Sequence, residues 1–123
     1  MLVADRAGFQ EGEELSKYDS AQEYFDSISR EISSEQAEKL AGTFQFDIED
    51  AGQWMVQFTE DGRINQLEPG GEVEPDCTMM AKEKDWLKIV SGETKPMSAF
   101  MTGKLKVKGS TGKAMKLQQI IGQ

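Results

Sequence analysis

The chain contains no histidine. That removes Ser-His-Asp and Cys-His catalysis, and every metal site built on imidazole. A single cysteine excludes an internal disulfide framework and a four-thiolate zinc site. No apolar run approaches the ~20 residues needed to span a bilayer. The first residues, Met1-Leu2-Val3-Ala4-Asp5-Arg6, lack the basic start, apolar stretch and cleavage site of a secretory signal. The last three, Ile121-Gly122-Gln123, are not a peroxisomal tripeptide. The cytoplasm is therefore the expected compartment. What is present fits one domain: 123 residues, enough for one sizeable core.

The net charge is −8, unevenly spread. Residues 1–81 sum to −14 and residues 82–123 to +6. An acidic whole argues against nucleic acid as a partner. The basic third can meet an anionic headgroup or phosphate locally, or its lysines simply solvate exposed faces.

Residues 1–17 are polar and glycine-containing and predict a flexible N-terminal arm, leaving 18–123 as the folded domain. Ser20 and Glu23 form a capping-box pattern. Ala21, Tyr24, Phe25, Ile28 and Ile32 then put one apolar stripe on a helix. Ser33 with Gln36 opens a second helix, closed by Gly42. The period then drops to two. Phe44, Phe46 and Ile48 mark a strand, and Trp54, Val56 and Phe58 mark another, alternating with Met55 and Gln57. Asp61-Gly62 signals a hairpin into a third strand, Arg63 to Leu67. Cys77 to Ala81 make a fourth strand, with Cys77 and Met79 on one face. A helix from Glu83 carries Trp86, Ile89 and Val90 on one side. Pro96 starts a short helix with Met97, Phe100 and Met101 as its stripe. Leu105 and Val107 alternate with lysines in a fifth strand. After the turn Gly109-Ser110-Thr111-Gly112, the residues Ala114, Leu117, Ile120 and Ile121 mark a last amphipathic helix, flanked by Met115.

Few motifs carry chemistry. Gly109 to Lys113 resembles a phosphate loop but fails its pattern, because Val107 replaces the first glycine and Ala114 the Ser or Thr. Asp47, Glu49 and Asp50 sit where turns favour acids, without EF-hand spacing. Cys77 falls on an inward strand face, where it reads as a small buried hydrophobe. Six methionines beyond the first, Met55, Met79, Met80, Met97, Met101 and Met115, lie in predicted elements. Methionine suits surfaces that adapt to varied apolar ligands, and it also fills ordinary cores.

The stretch Pro75-Asp76-Cys77-Thr78, then Asp85-Trp86-Leu87, then Gly92 to Phe100, then Gly103-Lys104-Leu105-Lys106-Val107-Lys108-Gly109 and Ala114-Met115-Lys116-Leu117-Gln118, closely resembles the sterol carrier protein 2 family of lipid-transfer domains. The likeness extends over about residues 19–121. It implies an α+β fold, a five-stranded sheet with helices packed on one face enclosing an apolar tunnel. It implies non-covalent carriage of fatty acid, fatty acyl-CoA, sterol or phospholipid, with no cofactor and no catalysis. Met97 and Met115 match family positions that face the tunnel. Phe100, Met101 and Trp86 are expected to line the same space, with Ile89, Val90, Leu105 and Leu117. Phe44, Phe46, Trp54, Val56, Cys77 and Met79 are placed on the sheet face. Family members are often fused to enzymes, so an accessory role presenting acyl substrates to a partner lipid-metabolism enzyme stands beside the carrier role. Transient membrane contact is also expected, though not through the first helix. There Asp19, Glu23, Asp26 and Glu31 face one base, Arg30, where the family is often basic.

Overall fold

The computed structural model describes residues 18–121. The elements run α1 (Ala21–Asp26), α2 (Ile28–Glu31), α3 (Ser34–Leu40), β1 (Gly42–Glu49), β2 (Gly52–Phe58), β3 (Ile64–Leu67), β4 (Cys77–Lys82), α4 (Glu83–Val90), α5 (Pro96–Met101), β5 (Leu105–Gly109) and α6 (Thr111–Ile120). The five strands form one mixed sheet in the order β3-β2-β1-β4-β5. β1 and β4 are parallel, and the other three pairings are antiparallel. The predicted arm, 1–17, lies outside the described residues.

The hydrophobic alternation decides which sheet face the helices cover. Cross-strand partners Phe44–Val56, Phe44–Cys77, Phe46–Trp54 and Phe46–Met79 bring the apolar sets of three strands together. Met79–Val107 and Ala81–Leu105 continue that surface onto β5. A one-residue slip would turn this whole set to solvent, so burial fixes the register.

One residue ties three strands at one end of the sheet. The Asp76 backbone N–H donates to Thr43 O at 2.7 Å, and its Oδ2 accepts from the Thr43 N–H at 2.9 Å. Its carbonyl accepts from the Ser110 N–H at 2.9 Å. Gly109 passes so close that a Cβ there would lie 2.5 Å from Asp76 O, at a φ of +93°. Only glycine fits both the backbone angle and that approach.

Three details depart from the sequence expectation. The single helix expected over 20–32 is two, because Ser27 folds its hydroxyl back onto Glu23 O (3.1 Å) and Tyr24 O (3.0 Å). Such back-bonding competes with the helical ladder. Met55, expected outward, is buried on the face away from the helices, flanked in register by Gln45 and Leu67. The last helix starts earlier than the turn reading placed it. Ser110 is its N-cap, accepting from the Lys113 N–H, and Thr111 and Gly112 are already helical.

Candidate functional site

The apolar interior between helices and sheet is the candidate site. Phe25, brought in by α1, sits at its centre. Its ring stacks on Trp54 (centroids 4.7 Å apart, 15° between planes) and on Trp86 (5.9 Å, 7°). Phe46 leans on both Phe25 (5.0 Å) and Trp86 (5.4 Å), and Tyr24 meets Trp86 edge-on at 5.8 Å. The Ala21 N–H donates to Glu83 Oε2 at 3.0 Å, which holds the start of α1 against the start of α4. Gln66 Nε2 donates to Phe25 O at 2.6 Å and anchors the helix over β3.

Most of the sequence-derived site residues meet here. Phe44, Phe46, Val56, Cys77, Met79, Trp86, Ile89, Val90, Leu105 and Leu117 belong to one buried cluster, and Trp54 packs on it half-buried. Four others lie elsewhere. Met97, Phe100 and Met101 on α5 and Met115 on α6 are 48%, 43%, 77% and 50% exposed. Ala99 is the residue through which α5 reaches the core. Sequence reading left Phe25 and Tyr24 out of the candidate lining. The capping pattern and the stripe put both on the buried side of a helix, but not over the sheet centre.

Two buried polar atoms in this space have no hydrogen-bond partner, Trp86 Nε1 and Gln118 Oε1. The indole N–H is left as a free donor and the amide oxygen as a free acceptor. The Cys77 thiol is pushed up to about 11, chiefly by burial, with Asp76 adding to the shift and Lys113 opposing it. A thiol held protonated is a poor nucleophile. The lysines of the basic C-terminal third do not converge on this interior. Lys113 Nζ donates to Ala41 O at 2.8 Å, while Lys106 and Lys108 alternate away from the helices.

An open cleft of about 880 Å³ lies at the far ends of β1 and β4. Asp47, Asp50 and Asp85 line it together with Lys84, Lys104 and Lys106. Among the described residues no three acids or thiols are grouped to hold a metal ion.

Residues 22–122 match the SCP-2 sterol transfer family. The chain belongs to that family. Similarity to known members runs almost its full length. It is 36% identical over 123 residues to the hydroxysteroid dehydrogenase-like protein 2 of Xenopus laevis, covering 95% of this chain and 29% of that protein. The chain thus spans under a third of that relative. The apo sterol carrier protein 2 of Yarrowia lipolytica superposes with a TM-score of 0.57 at 26% identity, over 71% of each chain. A palmitated sterol carrier protein 2-like protein, SCP2L2 of Aedes aegypti, gives 0.53 at 29% identity, over 68% of this chain and 74% of that one. The five-stranded sheet with helices on one face is the family fold.

Proposed function

We propose that this chain carries lipids without covalent chemistry, holding the apolar part of a fatty acid, fatty acyl-CoA, sterol or phospholipid in a tunnel between helices and sheet, in the cytoplasm. Family membership across residues 22–122 is the observation that supports this most. The largely apolar interior supports it too, since each CH₂ removed from water contributes about 0.8 kcal/mol. A chain of about fourteen to sixteen carbons then gains on the order of 10 kcal/mol before ordering costs reduce it. Exposed Met97, Phe100, Met101 and Met115 form the tunnel mouth in this reading. The guest threads between α5, α6 and β5 into the space floored by Phe44, Met79 and Leu105. Few polar contacts imply broad specificity. No nucleophile-base pair is needed, and the protonated Cys77 thiol is not one.

Native mass spectrometry of the protein as purified, followed by denaturing extraction, tests the carrier reading. A co-purified apolar compound, or a mass shift on incubation with palmitate or palmitoyl-CoA, is the expected result. A mass unchanged under both conditions overturns it. The mouth is tested separately. Met97→Glu and Met115→Glu are each expected to weaken fatty-acid binding by more than about tenfold with the fold intact, because a carboxylate placed on the guest's path loses hydration. Unchanged affinity in both variants overturns that placement.

A second reading is favoured by one observation, the chain's span of 29% of its dehydrogenase-like relative. In it, the domain presents acyl or steroid substrates to an enzyme, either in trans or as part of a longer protein. Faster turnover of a water-insoluble substrate by a dehydrogenase when this domain is added is the result it requires.

A further inference from the structure

Five large hydrophobic side chains among the described residues are exposed, and four of them stand on α5 and α6. These helices pack against each other and against β5. Met97 and Met101 are one turn apart on α5, Phe100 is their neighbour, and Met115 faces solvent from α6. Exposed apolar clusters on a charged protein mark surfaces that meet something.

The surrounding charge identifies the partner. Residues 95–121 contain six lysines and no acidic residue. Lys95 caps the start of α5, Lys104 follows its end, and Lys116 stands beside Met115; all three are exposed. Glu93, just before the stretch, is the nearest acid in sequence. Asp47, Asp50 and Asp85 share the charged cleft with Lys104, and the other acids stand further off, with Asp19, Glu23, Asp26 and Glu31 on and around α1 and α2, and Glu35 and Glu38 on α3. A negative surface therefore attracts the α5–α6 face and repels the α1–α3 face. Exposed apolar side chains flanked along the chain by exposed lysines match the interface of an anionic bilayer, where the former enter the acyl boundary and the latter meet phosphates.

We propose that the α5–α6 face docks on anionic phospholipid membranes, with Met97, Phe100, Met101 and Met115 inserted and Lys95, Lys104 and Lys116 at the headgroups. This deepens the carrier reading by placing the tunnel mouth at the membrane. It also makes α5–α6, and not the acidic first helices, the docking element.

Co-sedimentation of the full chain with vesicles tests it. One vesicle is phosphatidylcholine alone, and the other equal parts phosphatidylcholine and phosphatidylserine. Binding at least about tenfold tighter to the mixed vesicle, weakened by salt, is expected. Met101→Glu should reduce that binding by about tenfold or more. So should the double variant Lys95→Glu/Lys116→Glu. All three side chains project from the surface, and circular dichroism confirms that the variants fold. The lysine double variant should still bind palmitate in vesicle-free solution. Equal binding of the wild type to both vesicles overturns the proposal, as does full binding by either variant. A concentration-dependent dimer that Met101→Glu dissolves, without vesicle binding, assigns the face to a second copy and also overturns it. Vesicle binding without palmitate binding supports the docking face and sinks the carrier reading instead.

Discussion

Phe25 shows how one side chain organises the interior. It lies between two tryptophan rings, so its removal opens a gap on both faces at once. Phe25→Ala is expected to cost about 3–5 kcal/mol, read as a lower urea midpoint. A loss below about 1 kcal/mol means that the two indoles collapse onto each other. The titrating residues make a second prediction at this scale. Burial raises the Cys77 thiol to about 11 and the Tyr18 phenol to about 12, the latter also pushed by Glu31. Tyr24, almost fully enclosed, is raised further for the same reason. An unfolded thiol ionises near ~8.5 and an unfolded phenol near ~10. Between the unfolded and folded values the native chain keeps protons that the unfolded chain has lost. Stability therefore falls as pH rises from about 8.5 towards 12. Urea midpoints taken at about pH 8 and about pH 10.5 should differ in that direction, and Cys77→Ala should remove part of the difference. A midpoint that holds or rises contradicts the assignment.

The elements differ in how plainly they were written. The strands were legible because a half-buried strand has a period of two that no helix imitates, and Phe44-Gln45-Phe46-Asp47-Ile48 states it openly. The caps were legible as well. Ser33 Oγ accepts from the Gln36 N–H at 3.1 Å, and Gln36 Oε1 accepts from the Ser33 N–H at 2.9 Å, completing the box. Ser33→Ala should cost about 1 kcal/mol by chemical denaturation, since the Gln36 N–H loses its acceptor while the backbone N–H at position 33 is kept. An effect near zero means that water replaces the cap. The break at Ser27 was not legible, because a serine inside a periodic stripe reads as a neutral helix residue until its hydroxyl is seen on Tyr24 O. Met55 was missed for a related reason. Alternation places a residue on a face, but it says nothing of how closely its cross-strand neighbours crowd that face. The exposed stripe of α5 is the reverse case. Met97, Phe100 and Met101 have the spacing of a core-facing helix, yet Ala99 makes the contact and the larger residues turn outward.

At the scale of the molecule, the fold followed from local pattern joined to the family likeness, while the site followed from neither alone. The family likeness assigned Met97 and Trp86 to one lining, and alternation put Met79 on the sheet face below. The folded chain separates them into a packed aromatic centre and an exposed rim. That separation has a consequence for carriage. Rings spaced 4.7–5.9 Å apart fill the centre, so under the proposed carriage a long guest must displace packing as it enters. The guest then takes the place of the contacts it breaks and becomes part of the core. A ligand that binds the native chain alone adds RT ln(1 + [L]/Kd) to stability, about 2.7 kcal/mol at a hundredfold excess over Kd. For a domain of this size that raises Tm by several degrees, on the order of 10 °C. Palmitate added below its aggregation limit should produce this rise, and a short-chain acid such as butyrate should not, because it buries too few CH₂ groups to offset the lost aromatic contacts. Equal shifts from both acids indicate that the carboxylate binds and the chain does not. The charged cleft lined by Asp47, Lys84 and Lys104 then becomes the place where anions bind.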